Sequence, residues 1–245
     1  MSASLTALLL SVVGSVGGLL VASILLVVHS DIRSRVVPWL VSYAVGTLLG
    51  AALLGLVPQA LESIAPPRAL GALLAGIMTF FILEKLVLWR HCHDEDGSCE
   101  AHKSTATLVI VGDAIHTFVD GVVIAAATLV SLPLGVTTAL AVAAHEIPQE
   151  AGDFAILLAA GHTRARALLL NLTSAIGGLL GAAAMLNFGG SAPAVLPYVL
   201  SFAAGNFLYV AMADLIPTLH RGHLDSSAVR QITLIGLGVA TIVAL

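Results

Sequence analysis

The chain has 245 residues, of which 58% are hydrophobic and only 10% charged, with a formal net charge of −4 and a mean hydropathy of +1.03. A soluble domain carries roughly 25% charged residues, so a soluble globular protein is excluded, and the lack of any basic patch excludes nucleic acid as a partner. With no long polar segment, the expected organisation is a single transmembrane domain over residues 1–245, with the lipid bilayer as its first partner.

A membrane-crossing helix needs roughly 20 mostly apolar residues. In chain order the predicted spans are 5–28, 36–61, 69–90, 105–130, 134–161, 164–187, 193–220 and 228–245, eight in all. The first has no Lys or Arg ahead of its apolar run, unlike a cleaved signal peptide. Charge or turn residues separate the spans, among them Asp31 to Arg35, Pro66-Pro67-Arg68, Pro133 and Gly161 to Arg166. Arg33, Arg35, Lys85, Arg90, Lys103, Arg164, Arg166, Arg221 and Arg230 fall on odd-numbered loops, whereas only Arg68 falls on an even one. By the positive-inside bias the odd loops face the cytoplasm. The expectation is a multi-pass protein of the cell (inner) membrane with both termini outside the cytoplasm.

The second span carries Gly46-Thr-Leu-Leu49-Gly-Ala-Ala52-Leu-Leu-Gly-Leu56-Val57-Pro58, which matches Gly205-Asn-Phe-Leu208-Tyr-Val-Ala211-Met-Ala-Asp-Leu215-Ile216-Pro217 of the seventh in register. The two spans cross in opposite directions, so the match reads as an inverted repeat or as chance similarity between Gly-rich apolar helices. Gly14-xxx-Gly18, Gly46-xxx-Gly50 and Gly177-xxx-Gly181 allow close helix packing and are also compatible with a homodimer.

After the third span comes His91-Cys92-His93-Asp94-Glu95-Asp96-Gly-Ser-Cys99-Glu100-Ala-His102, a predicted cytoplasmic loop at about 91–104 that holds both cysteines. They are expected to be reduced thiols there. Their spacing fits no closed zinc module, so the loop reads as a dynamic metal-capture segment or as a flexible acidic loop.

The fourth and fifth spans carry the chemistry. Ionisable side chains are costly inside a bilayer and mark ion pathways. His116 and Asp120 lie four apart on one helical face, with Asp113 a turn earlier. In the fifth span His145 and Gln149 are four apart, and Glu146, Glu150 and Asp153 form the adjoining stripe. Imidazole with carboxylate is the ligand set of zinc and related divalent metals, and a divalent ion would offset the repulsion among the acids. Pro148 lacks an N–H, which leaves the Ala144 carbonyl without its helical partner.

His116-x-x-x-Asp120-Gly121 and His145-Glu146-x-Pro148-x-Glu150-x-Gly152-Asp153 resemble the paired signatures of the ZIP (Zrt-, Irt-like) metal transporters, the second in the HEXPHEXGD form of one large branch. Glu84-Lys85 with Trp89-Arg90-His91-Cys92-His93, and Leu208-Tyr209 with Asp214-Leu-Ile-Pro217, resemble other parts of the same branch, so the resemblance runs from the second span to the seventh. It implies an all-α integral membrane fold of eight helices, with an inverted repeat of helices 1–3 and 6–8 around helices 4 and 5. It also implies import of a divalent metal into the cytoplasm, zinc first and cadmium, iron or manganese in some members, by an elevator-like movement and with no prosthetic group.

Two departures stand out. Gln149 replaces the family's His, and Thr117 its common Asn. The helix-6 Glu of members with a two-metal centre falls at Ser174. Carried over residue by residue, the primary metal site is His116, Asp120, His145 and Gln149. Glu146 and Glu150 are candidate second-ion or relay ligands, with Asp113 and Asp153 beside them. The competing class is an integral-membrane metal-dependent hydrolase built on His-Glu-x-x-His. Gln149 at the second His position and Pro148 inside the motif favour a transporter over an enzyme.

Overall fold

The computed structural model describes residues 2–89, 100–189, 193–219 and 226–245, and among them only helices occur. Helix α1 (Ala3–Val27) starts on Ser2, whose side chain accepts the Leu5 N–H, the usual way to satisfy an orphan donor at a helix start. Helix α2 (Ser30–Gly50) runs through a π-helical segment, Ala51–Leu56, into α3 (Val57–Leu61). Next come α4 (Pro66–Trp89), α5 (Glu100–Val130), α6 (Leu132–Ala159) and α7 (Arg164–Gly189). A short 3₁₀ turn leads into α8 (Leu196–Tyr209), a second π segment (Val210–Leu215), α9 (Ile216–Leu219) and α10 (Ser226–Ala244).

The helices begin and end close to the spans read from the sequence. The clearest difference is α2, which starts at Ser30 rather than near 36. Asp31 in its first turn favours the helix start electrostatically, so the charged run expected as a loop is helical. Ser131 caps α6 by accepting from Leu134 N. Gly161, at φ +86°, ends that helix in the left-handed region.

Among the described residues six helices are long and apolar enough to cross a membrane, over Ala3–Ile24, Arg35–Leu61, Pro66–Lys85, Ile110–Val130, Arg164–Phe188 and Leu196–Leu219, and α10 offers a shorter apolar stretch, Ala228–Ala244. Helix α6 falls outside that group. Its polar run from His145 to Asp153 depresses its hydropathy, and those are the residues of interest here.

Both π segments sit just before a proline. Pro58 and Pro217 cannot bond the carbonyls four residues back, and the chain inserts one extra residue in the turn. Val57 N bonds Ala52 O and Ile216 N bonds Ala211 O, each a five-residue step, at matching positions of the Gly46–Pro58 and Gly205–Pro217 segments.

Helices α1, α5, α6 and α7 pack on one another, while α2 pairs with α10 and α4 with α8. Small residues let these axes approach: Ala125, Ala126 and Ala127 of α5 and Ala203 and Ala204 of α8 are fully buried in one core. The three small-residue motifs all face neighbours within the chain. Gly14 and Gly18 abut α6, Gly46 and Gly50 abut α10, and Gly177 and Gly181 abut α5. The segment His91–Cys99 of the expected metal-capture loop lies outside the described residues.

Candidate metal centre

The centre forms where α5 and α6 face each other, backed by α1. His116 and Asp120 project from the same face of α5, and His145 and Glu146 from α6. One ligand atom from each of the four lies within 4.8 Å of all the others. The two imidazole Nε2 atoms are 3.1 Å apart. Asp120 Oδ2 is 3.5 Å from His116 Nε2 and 3.1 Å from His145 Nε2. Glu146 Oε1 is 3.9 Å from His116 Nε2 and 4.0 Å from His145 Nε2. His116 is 9% exposed and the other three at most 1%.

The surrounding residues orient these groups. His145 Nδ1 lies 3.0 Å from the Ala141 carbonyl, which places the ring proton on Nδ1 and turns the Nε2 lone pair toward the cluster. The Phe80 ring meets His116 edge-on with centroids 5.8 Å apart, and the Phe207 ring stands 6.0 Å from His145. Gly18 of α1 lies against the Glu146 Cβ, so that any larger residue would displace the glutamate. Among the described residues no backbone N–H, hydroxyl or amide donates to Asp120 or Glu146, whose polar neighbours are the two imidazoles and each other. Two adjoining buried carboxylates without such donors are costly, and a dication between them and the imidazoles removes that cost. Two nitrogens and two carboxylates form a four-ligand set of the kind zinc accepts.

The other four candidate residues stand around this group. The Gln149 side-chain amide donates to Asp113 Oδ1 at 3.1 Å, and Glu146, expected as a second-ion or relay ligand, converges with His116, Asp120 and His145. The second oxygen of Asp113 accepts from the Ser174 hydroxyl of α7, and Thr117 Oγ1 donates to the Asp113 backbone carbonyl. Glu150 is fully buried, outside the group of four. Asp153 borders a cavity of about 560 Å³, together with Asp113, His116, Pro148 and Gln149.

The cavity lies to one side of the centre. Its lining comes from the half of the bundle where α2 and α5 begin and α4 and α6 end, and it includes Val41, Glu84, Ile156, Tyr209 and Asp214. Tyr209 Oη donates to Glu84 on this wall. On the far side Gly14 packs against Ile124 and Val142, and Leu48, Thr138 and Ala203 are buried. Sequence reasoning passed over the hydroxyl of Ser174 as a donor and the phenyl rings of Phe80 and Phe207. None has a spacing signature, because each reaches the site from a different helix.

The family model described as ZIP zinc transporter matches residues 89–245. The zinc transporter ZIP13 of Pongo abelii is 35% identical over 231 residues, covering 86% of this chain and 69% of the relative. The human ZIP13 is 31% identical over 271 residues, covering 86% of this chain and 72% of the relative. The human zinc transporter ZIP6 is 40% identical over 142 residues, covering 56% of this chain and 18% of that protein.

Proposed function

The chain belongs to the ZIP zinc transporter family, and from that premise we propose that it moves a divalent cation, zinc first, into the cytoplasm through the centre between α5 and α6. It is a metal transporter rather than an enzyme, and family membership lends the hydrolase reading no support. The transported ion is substrate, not a resident cofactor. The observation that carries the reading is the convergence of His116, Asp120, His145 and Glu146 on one point, beside a cavity that reaches only one side of it.

On this reading the four converging residues hold the ion, and Asp113, Gln149, Glu150 and Asp153 flank its route. A transporter must release what it binds, and a centre next to a wide cavity on one side and packed helices on the other has one accessible face at a time. The test is uptake into vesicles reconstituted with the full chain, with zinc, cadmium, iron and manganese in competition. Zinc uptake is expected, and it should vanish in His116→Ala, Asp120→Ala and His145→Ala variants that still insert in the membrane. No uptake of any of the four metals by the wild-type chain would sink the transporter reading.

The arrangement we propose is eight spans, with α1–α4 and α7–α10 as inverted halves around α5 and α6. Paired contacts support it. A Cβ at Gly46 would overlap the Ile235 carbonyl, and one at Gly205 would overlap the Leu73 carbonyl. Likewise Gly238 lies against Tyr43 and Thr47, and Gly76 against Phe202 and Asn206. Each of these contacts in the α2–α10 pair has its mate in the α4–α8 pair, with the α2 and α8 members at the same offset as the sequence repeat. The basic loops favour the cytoplasm on the side of the cavity. A homodimer needs a surface other than the three small-residue motifs, and chemical cross-linking of the reconstituted chain tests it.

A further inference from the structure

Asp113 sits one turn before His116 on α5 and is 6% exposed. Its two carboxylate oxygens are engaged from two different helices. Oδ1 accepts from the Gln149 amide of α6 at 3.1 Å, and Oδ2 accepts from Ser174 Oγ of α7. Among the four converging residues, only His116 also borders the cavity, and Asp113 borders it too. An ion passing between centre and cavity therefore passes these two side chains.

Most of the wall is apolar, with Phe80, Ile115 and Ile156 in it, and the other carboxylates on the cavity are Glu84, Asp153 and Asp214. A partly dehydrated dication leaving four ligands there has lost protein oxygens before it has regained water, which is costly. A carboxylate one turn from His116 supplies an anionic oxygen at that moment. It serves only if it stays out of the centre, since a fifth ligand closing on the ion would hold it. The two donated hydrogen bonds impose this restraint: swinging onto the Nε2 pair would break at least one charge-assisted bond.

We propose that Asp113 is a transfer station for the ion between the centre and the cavity, and that Ser174 and Gln149 are positioning residues that hold its carboxylate on the cavity side. This rests on the transporter reading above. Serine at position 174 thus has a role of its own: its hydroxyl restrains an acid instead of adding one.

The experiment measures two quantities on the reconstituted full chain: the maximal zinc uptake rate, and the equilibrium zinc affinity by competition with a chelating dye. Asp113→Asn and Ser174→Ala should each lower the maximal rate roughly tenfold, the scale of one lost hydrogen bond to a charged group. Asp113→Asn should leave zinc affinity within about twofold, whereas Ser174→Ala should tighten it by about threefold or more as the freed carboxylate closes on the ion. Ser174→Thr keeps the hydroxyl and should keep the rate. If Ser174→Ala does not reconstitute, Gln149→Ala carries the same expectation. A wild-type rate in Asp113→Asn overturns the proposal, as does an affinity loss that parallels its rate loss, which would make Asp113 a ligand of the centre. Equal rates in Ser174→Ala and Ser174→Thr overturn the positioning role. Zinc uptake by the wild-type chain with any of these results leaves the transporter reading standing and removes this inference alone.

Discussion

At the scale of single residues, the decisive contrast is Glu146 against Gln149. His116, Asp120 and His145 are legible in the sequence, because a four-residue step keeps two side chains on one helical face. Glu146 is legible only as a candidate second-ion or relay ligand. Position 149 shares the face of His145, while position 146 is rotated about 100° from it, so spacing favours Gln149. In the fold Gly18 of α1 leaves room for Glu146, whose carboxylate lies within 4.0 Å of both imidazoles, while the Gln149 amide donates to Asp113. Glu146→Gln should therefore abolish zinc binding, whereas Gln149→Ala should keep it, tightened rather than lost. Calorimetric zinc titration separates the two. A second expectation concerns stability. Glu146 is buried against the Asp120 carboxylate, so Glu146→Gln should raise the melting temperature in chelator, because it removes one of two adjoining buried acids. The same variant should lose the stabilisation that zinc confers on the wild type, about 2.7 kcal/mol at a concentration 100 times Kd. A lower melting temperature in chelator, or a full zinc response, would contradict this.

At the scale of elements, the helix boundaries follow from apolar runs and their breaks, and the prolines at 58 and 217 mark where two helices change character. That the change is a π turn, with bonds from Val57 to Ala52 and from Ile216 to Ala211, depends on coordinates. A proline signals a lost bond and does not say how the chain absorbs it. Helix contacts are a second case. Gly46, Gly205 and Gly121 lie against the backbones of Ile235, Leu73 and Gly178, whereas Gly71 and Gly236 meet nothing within 4 Å. In the sequence all five are glycines in apolar helices and look alike. Alanine at 46, 205 or 121 should destabilise by about 1–3 kcal/mol through overpacking. Alanine at 71 or 236 should be neutral or stabilising by up to about 1 kcal/mol. Thermal unfolding of the detergent-solubilised variants distinguishes the two groups, and equal losses at all five positions would refute the packing assignment.

At the scale of the whole molecule, the cavity approaches the centre from one side. The cavity of about 560 Å³ lies on the side where α4 ends and α5 begins, and residues such as Thr138 and Leu48 on the other side are fully buried. With Cys92 and Cys99 replaced by Ser, a single cysteine at Ile156 should react with a membrane-impermeant maleimide added from the cytoplasmic side and resist it from the outside. A cysteine at Thr138 should resist from both sides in this conformation. Labelling of Ile156→Cys from the outside alone would invert the proposed orientation.

The membrane class, the order of the helices and the types of ligand are written in composition and spacing, because each depends on local hydropathy and on the 3.6-residue turn. The choice among neighbouring acids, the restraint of Asp113 by Ser174 and the side on which the cavity opens are not so written. They arise from contacts between helices distant in sequence, α1 on α6, α7 on α5 and α8 against His145. There packing, not periodicity, selects which side chains meet.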